Sequence, residues 1–282
     1  MAGLALRGGH AFGDGELRER WRERSGLMGR VREELAVFLL AVQFLTRCPV
    51  PFPELFTEAR FIASTRYYPL VGLLVGALAG AVFWLAHLVF PVVLAVVLAT
   101  AASLLATGAF HEDGFADTCD GLGGGATREQ SLEIMRDSRL GTYGASGLGL
   151  MLAAKVLALA AVPAALIPWL LMAAHAASRA SAVLAAAAGS YVRDAGTAKP
   201  VAAGVAPCSL APALVTAAAA VGGLWFVTSP AAMVAGLAGL AAGHLVMRAL
   251  YERKLGGYTG DCLGAVQQTS ELGLYLGAVA ML

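Results

Sequence analysis

The chain has 282 residues, of which 58% are hydrophobic and only 14% are charged, whereas soluble domains carry about 25% charged residues. Its formal net charge of +1 excludes electrostatic binding of nucleic acid as the main function, because such binding needs an excess of Lys and Arg. The four cysteines lie far apart without CxxC spacing, a pattern that indicates neither a zinc site nor a disulfide framework.

The N-terminal segment 1–34 is densely charged from residue 14 onward. We expect no cleavable signal sequence in it, because its first apolar run is interrupted by Arg7. We expect a flexible or peripheral cytoplasmic extension here, followed by a membrane-embedded domain over residues 35–282. The dozen apolar residues 35–46 are too few to span a bilayer comfortably. They predict a helix that lies in the membrane interface.

Three stretches without a charged residue follow, at 68–110, 156–178 and 201–247. Each can supply one or two helices of about 20 apolar residues, the length that crosses a hydrocarbon core. A buried helix of a soluble protein seldom stays apolar on every face. The chain is therefore predicted to be an all-α, polytopic integral membrane bundle. Gly and Pro divide it into about seven predicted transmembrane helices, at 68–89, 91–110, 142–161, 163–188, 207–228, 230–249 and 263–282.

The connections between these predicted helices alternate between two kinds. The short links at 90–91, 162–163 and 229–230 carry no charge, whereas the longer connections and the segment 47–67 hold most of the Lys and Arg residues that follow residue 34. An excess of Lys and Arg marks the cytoplasmic side of a membrane. We therefore expect the charged connections to face the cytoplasm and the C-terminus to lie on the outside.

The segment HEDGFADTCDG, residues 111–121, holds four acidic residues within nine positions, directly after an uncharged stretch. Asp113, Asp117 and Asp120 are spaced i, i+4, i+7, so a helix would present the three carboxylates on one face. Like charges at this spacing repel each other, and desolvation at a membrane boundary adds to the cost. A Mg²⁺ ion would relieve this repulsion, because it prefers hard oxygen ligands and binds substrate phosphates. The alternative is a solvated loop with scattered acids.

A second polar segment, residues 129–144, holds Arg136, Asp137 and Arg139. Arginines beside a carboxylate–metal cluster suit a phosphate or diphosphate, because the planar guanidinium can donate two parallel hydrogen bonds to it. The alternative is a surface helix with ion pairs. With the acidic segment, the arginines predict phosphoryl or phosphodiester chemistry, in which the metal neutralises charge on the transferred phosphorus.

Four further candidates lie outside these patterns. Lys155 and Arg179 lie in the interior of predicted spans, whereas Arg248 stands at the end of its span. Charges inside a membrane are candidates for function, although Lys155 and Arg179 could each instead pair with a buried acid. His111 directly precedes the acidic segment, whereas the histidines within the predicted spans are interpreted as packed helix residues. Asp261 lies just before the last predicted span.

Five motifs of the chain occur together in a known order: FLTRCPVP (44–51), YYPLVGLLVG (67–76), GAFHEDGFADTCDG (108–121), EIMRDSRLGTYG (133–144) and TGDCLGA (259–265). They resemble the cobalamin synthase family, the adenosylcobinamide-GDP ribazoletransferases. The resemblance implies a Mg²⁺-dependent enzyme of the bacterial cytoplasmic membrane that acts late in cobalamin biosynthesis. It would join adenosylcobinamide-GDP to α-ribazole, or to its 5′-phosphate, and release GMP. Expected partners are these small molecules, membrane lipid and other enzymes of the pathway, but no nucleic acid.

The family motifs map onto individual residues of this chain. On this resemblance, the expected catalytic residues are His111, Asp113, Asp117 and Asp120. The expected metal ligands are Asp113, Asp117, Asp120 and Asp261. The expected substrate-binding residues are Gly114, Gly121, Arg136, Asp137, Arg139, Lys155 and Arg179. Glu112 stands where the family tolerates other residues, and residues 193–204 are the least typical of the family, so neither is given a role.

Two other classes of protein remain open. A CDP-alcohol phosphotransferase also uses spaced aspartates and Mg²⁺, but its pattern expects an Ala-Arg that DGFADTCDG does not contain. An ion-coupled transporter would favour acidic residues at the middle of a span, whereas these lie at a predicted cytoplasmic boundary.

Overall fold

The computed structural model describes residues 14–193, 205 and 207–282. Over this part of the chain the fold is helical apart from one isolated bridge between Tyr191 and Tyr258, so the all-α prediction is confirmed. The α-helices are α1 (Asp14–Leu45), α2 (Glu58–Ser64), α3 (Tyr68–His87), α4 (Val92–Thr107), α5 (Phe110–Gly124), α6 (Arg128–Ile134), α7 (Thr142–Ala160), α8 (Ile167–Ala188), α9 (Pro207–Gly222), α10 (Pro230–Leu255) and α11 (Gly260–Val279).

Several of these helices are long and apolar enough to cross a membrane. In the described residues there are five such stretches: Glu58–His87, Thr142–Ala160, Ala164–Ala188, Cys208–Phe226 and Pro230–Leu255. The helices α4 and α5 pass the same test only as a pair. The chain is thus a multi-pass membrane protein, as predicted. Within the described residues five stretches, or six with the bent pair, are apolar enough to be spans, where the sequence predicts about seven.

The predicted last span, 263–282, accounts for part of this difference. It coincides with α11, which is long enough but is not among the apolar helices. This helix carries Gln267, Gln268 and Glu271, whose side chains are buried against neighbouring helices. Its polar groups are therefore kept from lipid by protein, which is how a polar helix is tolerated at membrane depth.

The N-terminal helix α1 runs without a break through the predicted boundary after residue 34. Its last part provides the helix expected at 35–46, where Val37, Ala41 and Leu45 are buried and the last two contribute to a cluster with residues of α3, α8 and α9. Upstream, Glu33 accepts hydrogen bonds from Arg60 of α2 at 2.9 and 2.6 Å. The division into an extension and a domain stays a prediction.

A sharp turn joins α4 to α5, and the two helices are bent by 90° relative to each other. Gly108 and Ala109 both adopt left-handed backbone conformations, with φ of 68° and 57°. The left-handed conformation costs a residue with a Cβ about 1–2 kcal/mol, and a Cβ at Gly108 would lie 2.5 Å from the side chain of Arg47. Because of this turn, α5 leaves the direction of α4, lies outside the five spanning stretches, and packs on α7 and α11.

Close contact between backbones fixes the position of α11. A Cβ added to Gly239, Gly243 or Gly277 would collide with a backbone carbonyl of the opposing helix, α10 or α11. Small residues let membrane helices approach in this way and gain van der Waals contact. The helix α11 is thereby packed closely on α10, and it also packs on α5.

Candidate active site

The site is built where α5 crosses α11. A Cβ on Gly114 would lie 3.0 Å from the Cα of Asp261, and a Cβ on Gly264 would lie 3.1 Å from the carbonyl oxygen of His111. The two backbones therefore touch, and Asp261 is brought beside the acidic face of α5. The predicted substrate-binding residue Gly114 has a packing role in this crossing.

Three carboxylates share this region: Asp113, Asp117 and Asp261. Asp113 is exposed, and Asp117 and Asp261 are half-buried. Burial raises the pKa of Asp117 to about 7, and the neighbouring carboxylates of Asp261 and Asp113 add to the shift, while Arg193 opposes it. The repulsion expected from the spacing of the acids is therefore present, and it includes an acid from a distant part of the chain.

Arg193 completes this cluster, although its sequence position indicated no role for it. Arg193 pairs with Asp261 through an Nη1–Oδ2 distance of 2.9 Å, and its side chain is only 12% exposed. It also donates a hydrogen bond to the carbonyl oxygen of Met135 at 3.1 Å. A single arginine in a charged connection gives no sequence signal of such a role, because most such arginines are solvated.

Asp120 has different surroundings from the other two aspartates of α5. Its two carboxylate oxygens accept the backbone N–H groups of Gly141 and Gly144, each at 2.8 Å, and the residue is 7% exposed. These N–H groups belong to the start of α7, so Asp120 caps that helix and fastens it to α5. The expected catalytic and metal-binding roles of Asp120 stay predictions, and the structure adds this positioning role.

The loop between α6 and α7 contains the predicted arginine clamp. Arg136 is exposed, and the Arg139 side chain is 87% exposed. Arg139 donates through Nε to both oxygens of Asp137 at 3.0 Å, and these hydrogen bonds lower the pKa of Asp137 to about 2. Arg139 and Asp137 thus bind each other, while Arg136 is accessible from solvent. Gly121, also expected at the substrate, faces Met135 and the backbone of Ser131.

A buried polar network lies deeper in the bundle. The Lys155 ammonium donates to Glu271 at 2.9 Å and to Gln268 at 2.6 Å. Gln268 in turn donates to Glu112 at 2.8 Å, and Gln267 donates to Glu271 at 2.7 Å. From the sequence, Lys155 could either bind substrate or pair with a buried acid, and the structure shows the pair. It also gives Glu112 a structural role that sequence reasoning had not assigned.

His111 and Arg179 line the wall of one apolar cavity beside α5. Arg179 is 2% exposed and donates to the carbonyl oxygen of His175 at 2.9 Å. His175, interpreted from sequence as an isolated packing residue, lies 3.8 Å from Glu271 and so adjoins the polar network. The predicted site residues therefore fall into three neighbourhoods: the carboxylate cluster, the exposed loop, and the interior with its cavity.

The residues can be tested for their fit to the expected Mg²⁺ ion. Within the described ranges no group of three His, Cys, Asp or Glu side chains is arranged to hold a metal. Mg²⁺, however, commonly binds through one or two carboxylates, waters and substrate phosphates. Asp113, Asp117 and Asp261 provide hard oxygen ligands, and two of the three are enough for that mode, so the donor chemistry fits.

Comparison with known proteins gives consistent matches over nearly the whole chain. The family model of cobalamin-5-phosphate synthase matches residues 37–279. An adenosylcobinamide-GDP ribazoletransferase of Leptothrix cholodnii is 46% identical over 264 residues, covering 90% of this chain and 98% of the relative. Those of Vibrio parahaemolyticus and Shewanella frigidimarina are 40% and 41% identical, covering 91% and 88% of this chain and 97% and 95% of the relatives. No solved structure matches the chain.

Proposed function

The chain belongs to the cobalamin-5-phosphate synthase family, and on this premise we propose that it is an adenosylcobinamide-GDP ribazoletransferase. It joins adenosylcobinamide-GDP to α-ribazole, or to α-ribazole 5′-phosphate, and releases GMP. The observation that carries the proposal is the 46% identity over 98% of a relative with that name. The carboxylate cluster at the α5–α11 crossing supports it, because the reaction exchanges one phosphate bond for another and needs charge stabilisation at phosphorus.

The proposed chemistry is a single displacement at phosphorus. A ribose hydroxyl of α-ribazole attacks the phosphorus atom that carries the cobinamide arm, and a new P–O bond forms. The bond from this phosphorus to the bridging oxygen breaks, and GMP leaves with the bonding electrons. The hydroxyl proton passes to a carboxylate of the site, for which Asp117 is our candidate, because it lies beside Asp261 on the acidic face of α5. No covalent intermediate with the protein is needed.

We assign the expected Mg²⁺ to Asp113 and Asp261, with Asp117 beside them. When bound, the ion neutralises charge on the transferred phosphate and on departing GMP. Two arginines stabilise the same phosphate charge. Arg193 lies in the carboxylate cluster, and Arg136 extends from the loop before α7, whose start is bound by Asp120. Their guanidinium groups bind phosphate oxygens through paired hydrogen bonds.

We also propose that the site faces the cytoplasm from a bacterial cytoplasmic membrane. The connection from α5 to α7 contains Arg128, Arg136 and Arg139, whereas the link from α3 to α4 has no charge. This asymmetry is typical of cytoplasmic and external loops, respectively. Membrane lipid and other enzymes of cobalamin biosynthesis remain proposed partners.

The proposal is tested by measuring GMP released from adenosylcobinamide-GDP by the purified protein in lipid nanodiscs, with and without α-ribazole. We expect release to require both α-ribazole and Mg²⁺, and to stop with a chelator. Asp113→Asn should reduce the rate by about 10²–10³, the usual effect of losing a preorganised electrostatic stabiliser. Glu129→Gln, an exposed substitution in the nearby α6, is the matched control and should retain wild-type activity.

Two results would decide against this function. A protein that releases CMP from a CDP-alcohol would be a CDP-alcohol phosphotransferase. Transport would be measured separately, with the protein reconstituted in sealed lipid vesicles. A protein that turns over neither substrate but carries an ion across the vesicle membrane, driven by an ion gradient, would be a transporter.

A further inference from the structure

A large apolar groove lies between α9 and α10, with α8 as its floor. Its wall comes from these three helices, whereas the carboxylate cluster lies on α5 and at the start of α11. The groove volume is ≈ 750 Å³, counted as space for the centres of water-sized spheres, about fifty times what one water needs. Along α10 the groove extends from Met233 to Arg248, a rise of about 22 Å. The groove therefore has room for a long ligand.

The groove is open at membrane depth. Each of its three helices belongs to a stretch that is long and apolar enough to cross a membrane. The large side chains Leu184, Leu214 and Leu245 line the groove and are exposed. One leaflet is half of the hydrocarbon core, about 15 Å, so the groove is long enough to hold a lipid acyl chain.

One buried donor is directed into the groove. Of the described residues that line it, only Ser181, His244 and Arg248 have polar side chains. His244 is 7% exposed, its Nδ1 lies 2.8 Å from Ser181 Oγ, and Ser181 Oγ lies 2.8 Å from Ser270 Oγ. Within the described part of the chain Ser270 has no other acceptor, so both hydroxyl groups are satisfied only if Ser270 donates to Ser181 and Ser181 donates to Nδ1. The ring hydrogen of His244 is then on Nε2.

This Nε2–H is available to a ligand. Among the described residues it has no hydrogen-bond partner. Unlike Arg179 Nε in the interior, the Nε2 of His244 is not fully enclosed. Because His244 lines the groove, the N–H can be reached from it by an acceptor atom.

A cation lies one helical turn beyond His244, about 6 Å along α10. Arg248 donates through Nε to Glu252 at 2.8 Å and through Nη2 to a backbone carbonyl of α8 at 3.0 Å. Its Nη1 has no partner among the described residues, and its side chain is 26% exposed. Arg253 and Lys254 follow, so this end of the groove is positively charged in spite of Glu252. Basic side chains between helices at the cytoplasmic side of a membrane bind lipid head groups.

We propose that the groove binds a membrane phospholipid. The phosphate lies on Arg248, an ester carbonyl accepts the Nε2–H of His244, and one acyl chain follows the apolar wall toward Met233. The groove offers a cation, then a hydrogen-bond donor, then hydrocarbon, and a phospholipid has its phosphate, ester and chain in the same order. An anionic phospholipid is favoured, because the basic end of α10 attracts negative charge. The inference concerns lipid binding and does not depend on the proposed reaction.

The test is native mass spectrometry of the delipidated protein in detergent, titrated with phosphatidylglycerol or with diacylglycerol, which lacks the phosphate. The wild type should retain one phosphatidylglycerol and bind diacylglycerol at least about tenfold more weakly, because hydrogen bonds to a charged group are strong. Arg248→Gln should weaken phosphatidylglycerol binding by a similar factor and leave diacylglycerol binding unchanged.

Ala241→Phe tests the apolar part of the groove. Ala241 is exposed on the groove wall, so a ring there should weaken the binding of both lipids by at least about tenfold, as expected when an apolar pocket loses contact with its ligand. Ala242→Phe is the matched control, since Ala242 is exposed on the same helix but does not line the groove. It should bind as the wild type does. Ala218→Phe, on the opposite wall, serves if the Ala241 variant does not fold.

Four results would overturn the inference. Two of them are equal phosphatidylglycerol affinity in the wild type and the folded Phe variants, and equal affinity of the wild type for the two lipids. Displacement of the lipid by adenosylcobinamide-GDP would assign the groove to substrate. A wild type that is dimeric while Ala241→Phe is monomeric would assign it to a second copy of the chain.

Discussion

Asp120→Asn tests whether Asp120 has a different role from Asp113 and Asp117, which lie on the same face of α5. The Asp120 carboxylate accepts the N–H groups of Gly141 and Gly144 at 2.8 Å each. An Asn side chain has one acceptor oxygen, so its amide NH₂ would face the second N–H donor. Losing a hydrogen bond to a charged acceptor costs about 1.5–3 kcal/mol, and losing a negative charge at a helix N-terminus about 0.3–1 kcal/mol. The free energy of unfolding should therefore fall by roughly 2–4 kcal/mol.

Asp117→Asn should have the opposite effect on stability. Burial and the carboxylates of Asp261 and Asp113 raise the pKa of Asp117 to about 7, so its ionised form is disfavoured in the folded protein. This cost develops as the pH rises from the usual aspartate pKa through 7, and is absent where the group is protonated in both states. Without Mg²⁺ at pH 8, the Asn variant should be at least as stable as the wild type. This advantage should shrink toward pH 5.

The assay is thermal unfolding of the two variants and the wild type in detergent without Mg²⁺, followed by tryptophan fluorescence. The loss in Asp120→Asn corresponds to a melting temperature lower by roughly 5–15 °C, at 2–4 °C per kcal/mol. Both variants should release little GMP, Asp117→Asn through lost chemistry and Asp120→Asn through displacement of α7. Equal melting temperatures for the two variants, or an unchanged Asp120→Asn, would refute the assignment of different roles.

Arg136→Lys keeps the charge but loses the planar guanidinium that can donate two parallel hydrogen bonds. The kcat/KM for adenosylcobinamide-GDP should therefore fall about 10–100-fold and not recover with more Mg²⁺. Wild-type kinetics would show that the arginine is not a phosphate ligand. Lys155→Met leaves the buried Glu271 carboxylate without its lysine partner, which should lower the free energy of unfolding by about 3–5 kcal/mol. Adding Glu271→Gln should restore part of this loss. A double variant no more stable than the single one would contradict the pairing. In a cysteine-free background, Glu129→Cys should be shielded from an impermeant thiol reagent in intact cells while Val89→Cys is labelled, and the reverse pattern would invert the proposed topology.

The membrane class and the position of most spans were predictable from sequence, because they depend on local properties of the chain. A helix in lipid satisfies its backbone hydrogen bonds within itself, so a long uncharged run is sufficient to indicate a span. Apolarity alone does not identify α11 as a span, because burial by neighbouring helices allows Gln267, Gln268 and Glu271 within the bundle. Whether a polar helix is shielded from lipid depends on its neighbours, and periodicity does not show that.

The acidic face of α5 could be predicted from local spacing, since the i, i+4 separation of Asp113 and Asp117 sets their relative direction on any helix. Only the tertiary structure brought Asp261 and Arg193 to that face, because their approach depends on a crossing where Gly114 and Gly264 let two backbones touch. The same holds for the hydrogen bond from Gln268 to Glu112, which joins residues 156 positions apart. Partners so distant in sequence have no fixed spacing, and it is helix packing that selects them.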